Sequence, residues 1–171
     1  MRAQLTEECV IKANGQFWEQ MLSMKLDRTV FPGQFCVGAG HLLGQVMLTG
    51  EWQGRIEVRM AGGLAYEATA AMMMQPLESV CELDALDAAK EIANMIAGVI
   101  KSSLPQPCSM TVPESTVVSE CFCGEARRED TLVVAFRHAA GDLMVRIWEW
   151  ECETPPVGFT GGVFAKLEAK S

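Results

Sequence analysis

The chain has 171 residues, 49% of them hydrophobic, with a formal net charge of −8. That length suits one domain with a sizeable core, and the composition is that of a globular protein rather than a disordered one. The acidic balance disfavours nucleic acid and anionic membrane as partners.

No apolar run reaches the length of a bilayer span, and the opening Met-Arg-Ala-Gln-Leu-Thr-Glu-Glu lacks the apolar core of a signal peptide. A cytoplasmic location is therefore expected. The seven cysteines are odd in number and irregular in spacing, which points to free thiols in a reducing compartment.

In chain order, Thr6 to Lys25 is expected to be a helix, with Thr6 as N-cap and acidic residues in the first turn. Val10, Ala13, Phe17, Met21 and Met24 recur at helical spacing. A short strand is expected at Arg28–Val30, followed by a Phe31-Pro32-Gly33 turn.

Three β-type segments come next, Gln34–Gly40, Leu43–Thr49 and Arg55–Met60, and they are expected to form an antiparallel meander. In the third, Ile56, Val58 and Met60 alternate with Arg55, Glu57 and Arg59. A second helix is expected over Leu64–Met74, ended by Gln75-Pro76. The run Met72-Met73-Met74 continues its apolar pattern and is read as core rather than partner surface.

A long helix is expected from Glu82 to Leu104, stopped by Pro105-Gln106-Pro107. Strands are expected at Cys108–Val112, Val117–Phe122, Leu132–Phe136 and Leu143–Trp150, the last two joined by a turn at His138–Asp142. The domain is taken as residues 1–153, with a Pro- and Gly-rich tail over 154–171. The coarse class is α+β, a largely antiparallel β-sheet packed against long α-helices.

Cys121 and Cys123 share a strand face and could ligate zinc, but Cys108, His138 and Cys152 stand alone, so no metal site is assigned. His41 and His138 sit beside expected turns without a nucleophile in an obvious context. Trp52, Trp148 and Trp150 are expected to cover a sheet face or a subunit interface.

The long helix is more informative. It is mostly apolar, yet at about 100° per residue Asp87, Lys90, Glu91, Asn94, Gly98 and Lys101 fall within a stripe roughly 100° wide. Asn in mid-helix is a weak helix former, and Gly98 costs about 1 kcal/mol relative to Ala. A polar stripe on a buried helix, carrying a Gly, suits close approach by a partner.

Asp87-x-x-x-Glu91-x-x-Asn94-Met-Ile-x-Gly98 resembles the signature of the CheC/CheX/FliY phosphatases of bacterial chemotaxis. Val37-Gly38-x-Gly40, Gly44-Gln-Val-Met-Leu48, Leu64-Ala65-x-x-Ala68-x-x-Ala71-Met72 and Met110-Thr-Val-Pro113 with Val117-Val118 extend the likeness over about residues 5–150. After Val118 the family tends to have a nearby Gly, whereas this chain has Ser119-Glu120 and reaches one only at Gly124. CheC-type members carry the motif twice. Here the matching stretch of the first helix keeps Asn14 but has Ile11 in place of the acid, so the chain is more similar to CheX.

The resemblance implies a CheC/CheX-like fold and a homodimer with sheets joined across subunits. It implies hydrolysis of the phospho-aspartate of a CheY-like response regulator. Glu91 and Asn94 would be the catalytic pair, Asn94 orienting the attacking water and Glu91 docking the regulator's lysine. Asp87, Lys90, Gly98 and Lys101 would contact the partner. No cofactor of its own is implied, because the Mg2+ is expected on the regulator. The alternative is a non-enzymatic module that binds a response regulator or a flagellar-switch component.

Overall fold

A computed structural model describes residues 5–30, 34–35, 40–118, 122–123 and 131–150. The strands are β1 (Asp27–Thr29), β2 (Gln34–Phe35), β3 (His41–Gly50), β4 (Gly54–Ala61), β5 (Cys108–Met110), β6 (Glu114–Val118), β7 (Phe122–Cys123), β8 (Thr131–His138) and β9 (Gly141–Glu149). The α-helices are α1 (Glu7–Gly15), α2 (Gly62–Met73) and α3 (Glu82–Lys101). The fold is α+β with an antiparallel sheet, as the sequence pattern implies.

The main sheet runs in the order β1-β8-β9-β4-β3-β5, with β6 also paired to β3. Period-2 alternation explains its two faces. Ile56, Val58 and Met60 of β4 stand opposite Ile147, Val145 and Leu143 of β9, and all six side chains are fully buried. This is the face on which the helices pack. Val10, Ala13 and Phe17 from the first helical segment meet it, as do Leu64, Ala65 and Ala68 of α2 and the apolar side of α3.

The opposite face carries charge that is nonetheless buried. Glu57 receives Arg55 and Arg146, each at 3.0 Å, and both guanidiniums lie over the ring of Trp148. Arg146 is pushed down to about 10, chiefly by burial, with Glu57 opposing the shift. Trp148 thus covers a sheet face as expected, whereas Trp52 is buried in the core.

Several boundaries differ from the sequence pattern. Thr6 caps α1 by accepting from the Cys9 amide, but the α-helix stops at Gly15 and continues as a π-helical turn over Gln16–Met21. The side chain of Asn14 donates to the Val10 carbonyl at 2.8 Å, one turn back, competing with the backbone ladder just before that change.

The three-stranded meander is corrected. β3 and β4 pair as expected, but β2 pairs with β7 in a separate ribbon. β3 has no edge left for β2, because β4 occupies one side and β5 and β6 the other. His41 opens β3 and is buried rather than lying in a loop.

The core reading of Met72-Met73-Met74 is also corrected. Met72 packs partly against the core, whereas Met73 and Met74 are exposed. The helix ends beneath them: Met74 is left-handed (φ 51°), and the Met74 and Gln75 amides turn back to the Ala71 and Ala70 carbonyls. That closure releases the last two methionines from the buried side of α2.

The expected Phe31-Pro32-Gly33 turn, Cys36, Cys121, Cys152 and the tail at 154–171 fall outside the described residues. No helix among the described residues is long and apolar enough to cross a membrane.

Candidate protein-docking helix

Helix α3 is defined at both ends by its own sequence. The Cys81 amide donates to the Asp84 carboxylate at 3.0 Å, which stops the first turn fraying and holds that carboxyl below its usual range. Glu82 and Asp84 complement the dipole at the start, and Lys101 does so at the end. The Gln106 side chain donates to the Lys101 and Leu104 carbonyls, closing the far end.

One side of α3 is made of small and branched apolar residues. Ala85, Ala89, Ile92, Ala93, Ile96, Ala97 and Ile100 are buried. The helix lies very close to β3 because Gly44 is beneath it. A Cβ built on Gly44 would stand 2.1 Å from the Ala89 carbonyl oxygen and 2.9 Å from the Ala93 Cβ. Glycine is required there by the approach of the helix backbone.

This seating turns the polar stripe outward. Asp87, Glu91 and Gly98 are exposed, while Lys90, Asn94 and Lys101 are half-buried. From Asp87 to Lys101 the stripe is about 21 Å long at 1.5 Å per residue. Lys90 pairs with Asp87 at 2.7 Å, so these two neutralise each other in the free protein. Among the described residues the side chains of Glu91 and Asn94 take part in no hydrogen bond or ion pair. They are three residues apart, hence neighbours on the surface. A Cβ on Gly98 would meet nothing within 4 Å. Nothing inside the fold therefore requires glycine at that position.

The closely packed helix thus presents a free carboxylate, a free carboxamide and a bare backbone patch along one line. The carboxylate can accept from a cation, and the carboxamide can both donate and accept. A cleft of about 330 Å³ between α1 and the end of α3, lined by residues including Cys9, Val99 and Ser103, contains none of the stripe side chains.

The other candidates do not converge. Among the described residues no group of three or more His, Cys, Asp or Glu side chains is placed to hold a metal. Cys9, Cys81 and Cys108 are free thiols. His138 accepts from the Ala140 amide at 3.1 Å across its own turn. The partial twin motif in α1 is also separate: Asn14 is 1% exposed, and its amide is committed to Val10.

The model of the chemotaxis phosphatase CheX family matches residues 42–137. No curated protein matches the chain in sequence. Solved structures of similar fold include the following three. Chemotaxis protein CheX from Vibrio vulnificus is 20% identical with a TM-score of 0.65, covering 88% of this chain and 100% of that one. A CheC-like superfamily protein from Shewanella sp. PV-4 is 19% identical with a TM-score of 0.67, at the same coverages. The third is from a CheX–CheY–BeF3–Mg2+ complex of Borrelia burgdorferi, 17% identical with a TM-score of 0.62, covering 86% of this chain and 99% of that one.

Proposed function

The chain belongs to the CheX family of chemotaxis phosphatases, and on that premise we propose that it hydrolyses the aspartyl phosphate of a CheY-like response regulator. The observation that carries the reading is the pair Glu91 and Asn94, whose side chains have no internal partners among the described residues, on a helix packed closely against the sheet.

Hydrolysis of an acyl phosphate needs a water in line with the phosphorus, and little covalent help from the catalyst. Attack forms a P–O bond to that water as the bond to the aspartyl oxygen breaks, releasing the regulator's carboxylate and inorganic phosphate. Asn94 would fix the water by donating to it and accepting from it, and it does not titrate over the working pH range. Glu91 would accept from the regulator's active-site lysine and so set the docking register. Asp87 and Lys90 would exchange their mutual ion pair for contacts with the partner, Lys101 would extend the stripe, and Gly98 would give its loops clearance. The divalent ion that neutralises phosphoryl charge would be the regulator's own. The same reading carries a cytoplasmic homodimer with sheets joined across subunits.

The test is the decay of an acetyl-phosphate-charged regulator with and without the protein. Asn94→Ala is expected to lose about a hundred-fold in turnover, the scale of removing a positioning contact, with an unchanged circular dichroism spectrum. A variant as active as wild type would refute the assigned role.

A further inference from the structure

Nine large hydrophobic side chains are exposed among the described residues, and four of them, Met73, Met74, Leu77 and Leu83, fall within residues 73–83. Single exposed apolar residues need no explanation, but a cluster at one end of a helix pair does. Residues 74–81 link the end of α2 to the start of α3, so this cluster sits at the N-terminal end of the helix that carries Glu91 and Asn94.

Leu83 ties the cluster to the polar stripe. It lies four residues before Asp87, seven before Lys90 and eleven before Asn94. At about 100° per residue that places it on the same face, and at 1.5 Å per residue about 16 Å from Asn94 along the axis. Its side chain is 72% exposed. Met74 is 92% exposed at a left-handed position that glycine would occupy without strain. Leu and Met at such a place add an adaptable apolar contact surface.

The surrounding charge states what would fit. Residues 73–91 carry five carboxylates and one lysine, and that lysine is already paired with Asp87. A second copy of the chain set against this patch by a two-fold axis would bring like charges together. A free phosphorylated small molecule would not span the roughly 16 Å from Asn94 to Leu83.

We propose that Leu83, Leu77 and the exposed methionines form a second docking contact for the same response regulator, receiving an apolar patch flanked by Lys or Arg on its surface. This rests on the phosphatase reading above. The contact sets affinity, while Asn94 sets turnover, because its side chains are too far from the water to act on the reacting atoms.

The experiment is steady-state hydrolysis of the acetyl-phosphate-charged regulator by Leu83→Ser, by the Leu83→Ser/Met74→Ser double variant and by Glu82→Lys. Each alters an exposed position. The expected result for the apolar variants is a KM raised about ten-fold, the scale of losing one anchoring side chain, with kcat within about two-fold of wild type. Glu82→Lys raises KM and flattens its salt dependence. Val30→Ser, an exposed apolar position beyond β1 at the opposite end of the sheet order, leaves both constants unchanged. An unchanged KM in the double variant, with Asn94→Ala inactive, would overturn the proposal and leave the phosphatase reading standing. So would an unchanged KM together with loss of self-association in sedimentation, which would assign the patch to a second copy. If wild type gives no turnover, the phosphatase reading fails, and binding to the BeF3-charged regulator decides: an unchanged Kd in the double variant overturns the second contact.

Discussion

Gly98→Ala separates stability from function at one atom. Gly98 lies inside α3, is exposed, and would gain a Cβ with no heavy atom within 4 Å. Alanine is favoured over glycine in a helix interior by about 1 kcal/mol, and here no clash opposes the gain. With an unfolding entropy of about 2.1 cal/mol/K per residue over a domain of this size, that stabilisation raises Tm by about 3 °C. In the complex the same methyl group would occupy the clearance assigned to the regulator's loops. A misplacement of about 1 Å costs on the order of a hundred-fold in rate, and partial relief by a small shift still leaves at least a ten-fold loss. Thermal unfolding followed by circular dichroism reads the first effect, and decay of the charged regulator reads the second. A stabilised variant with wild-type turnover would refute the clearance role. A destabilised variant would refute the open environment from which the gain was worked out.

Three further outcomes are expected. Gly44→Ala places a Cβ against the Ala89 carbonyl, so α3 must lift from β3; urea unfolding is expected to show a loss of about 1–3 kcal/mol, accompanied by reduced hydrolysis. Glu57→Gln leaves the buried Arg55 and Arg146 guanidiniums without their shared carboxylate, and a loss of about 3–5 kcal/mol is expected in the same assay. Ile11→Glu restores the missing acid of the partial motif in α1, yet it is expected to give no turnover in an Asn94→Ala background, because Asn14 is buried and bonded to Val10; recovered hydrolysis in the double variant would show that α1 can open.

Much of the fold follows from periodicity. The alternation in β4 and β9 gives both the strands and the face the helices cover, and the apolar runs of α2 and α3 give those helices within a few residues. What periodicity misses has particular causes. Phe17 and Met21 continue a helical spacing that cannot distinguish an α-turn from the π-turn they occupy. The pairing of β2 with β7 depends on which edges of β3 are free, and that is a property of the whole sheet. The polar side of β4 reads as alternation whether it meets water or, as with Glu57, two buried arginines. Met73 and Met74 continue an apolar run, but the closure of α2 at that point exposes them.

The two asparagines show where residue type stops being informative. Asn14 and Asn94 each stand on a helix, each within a stretch that matches the same signature in whole or part. Asn14 faces the core and spends its amide on its own helix, one turn before the backbone departs from α geometry. Its neighbour in the motif is an isoleucine, 36% exposed, which neither pairs nor steers a cation. Asn94 keeps its amide unspent because Gly44 and the alanines of α3 set the helix down flat on β3, leaving the opposite face to solvent. The difference between an asparagine that holds a fold together and one that can hold a water for a partner therefore rests on the small residues beneath the helix, not on the asparagine.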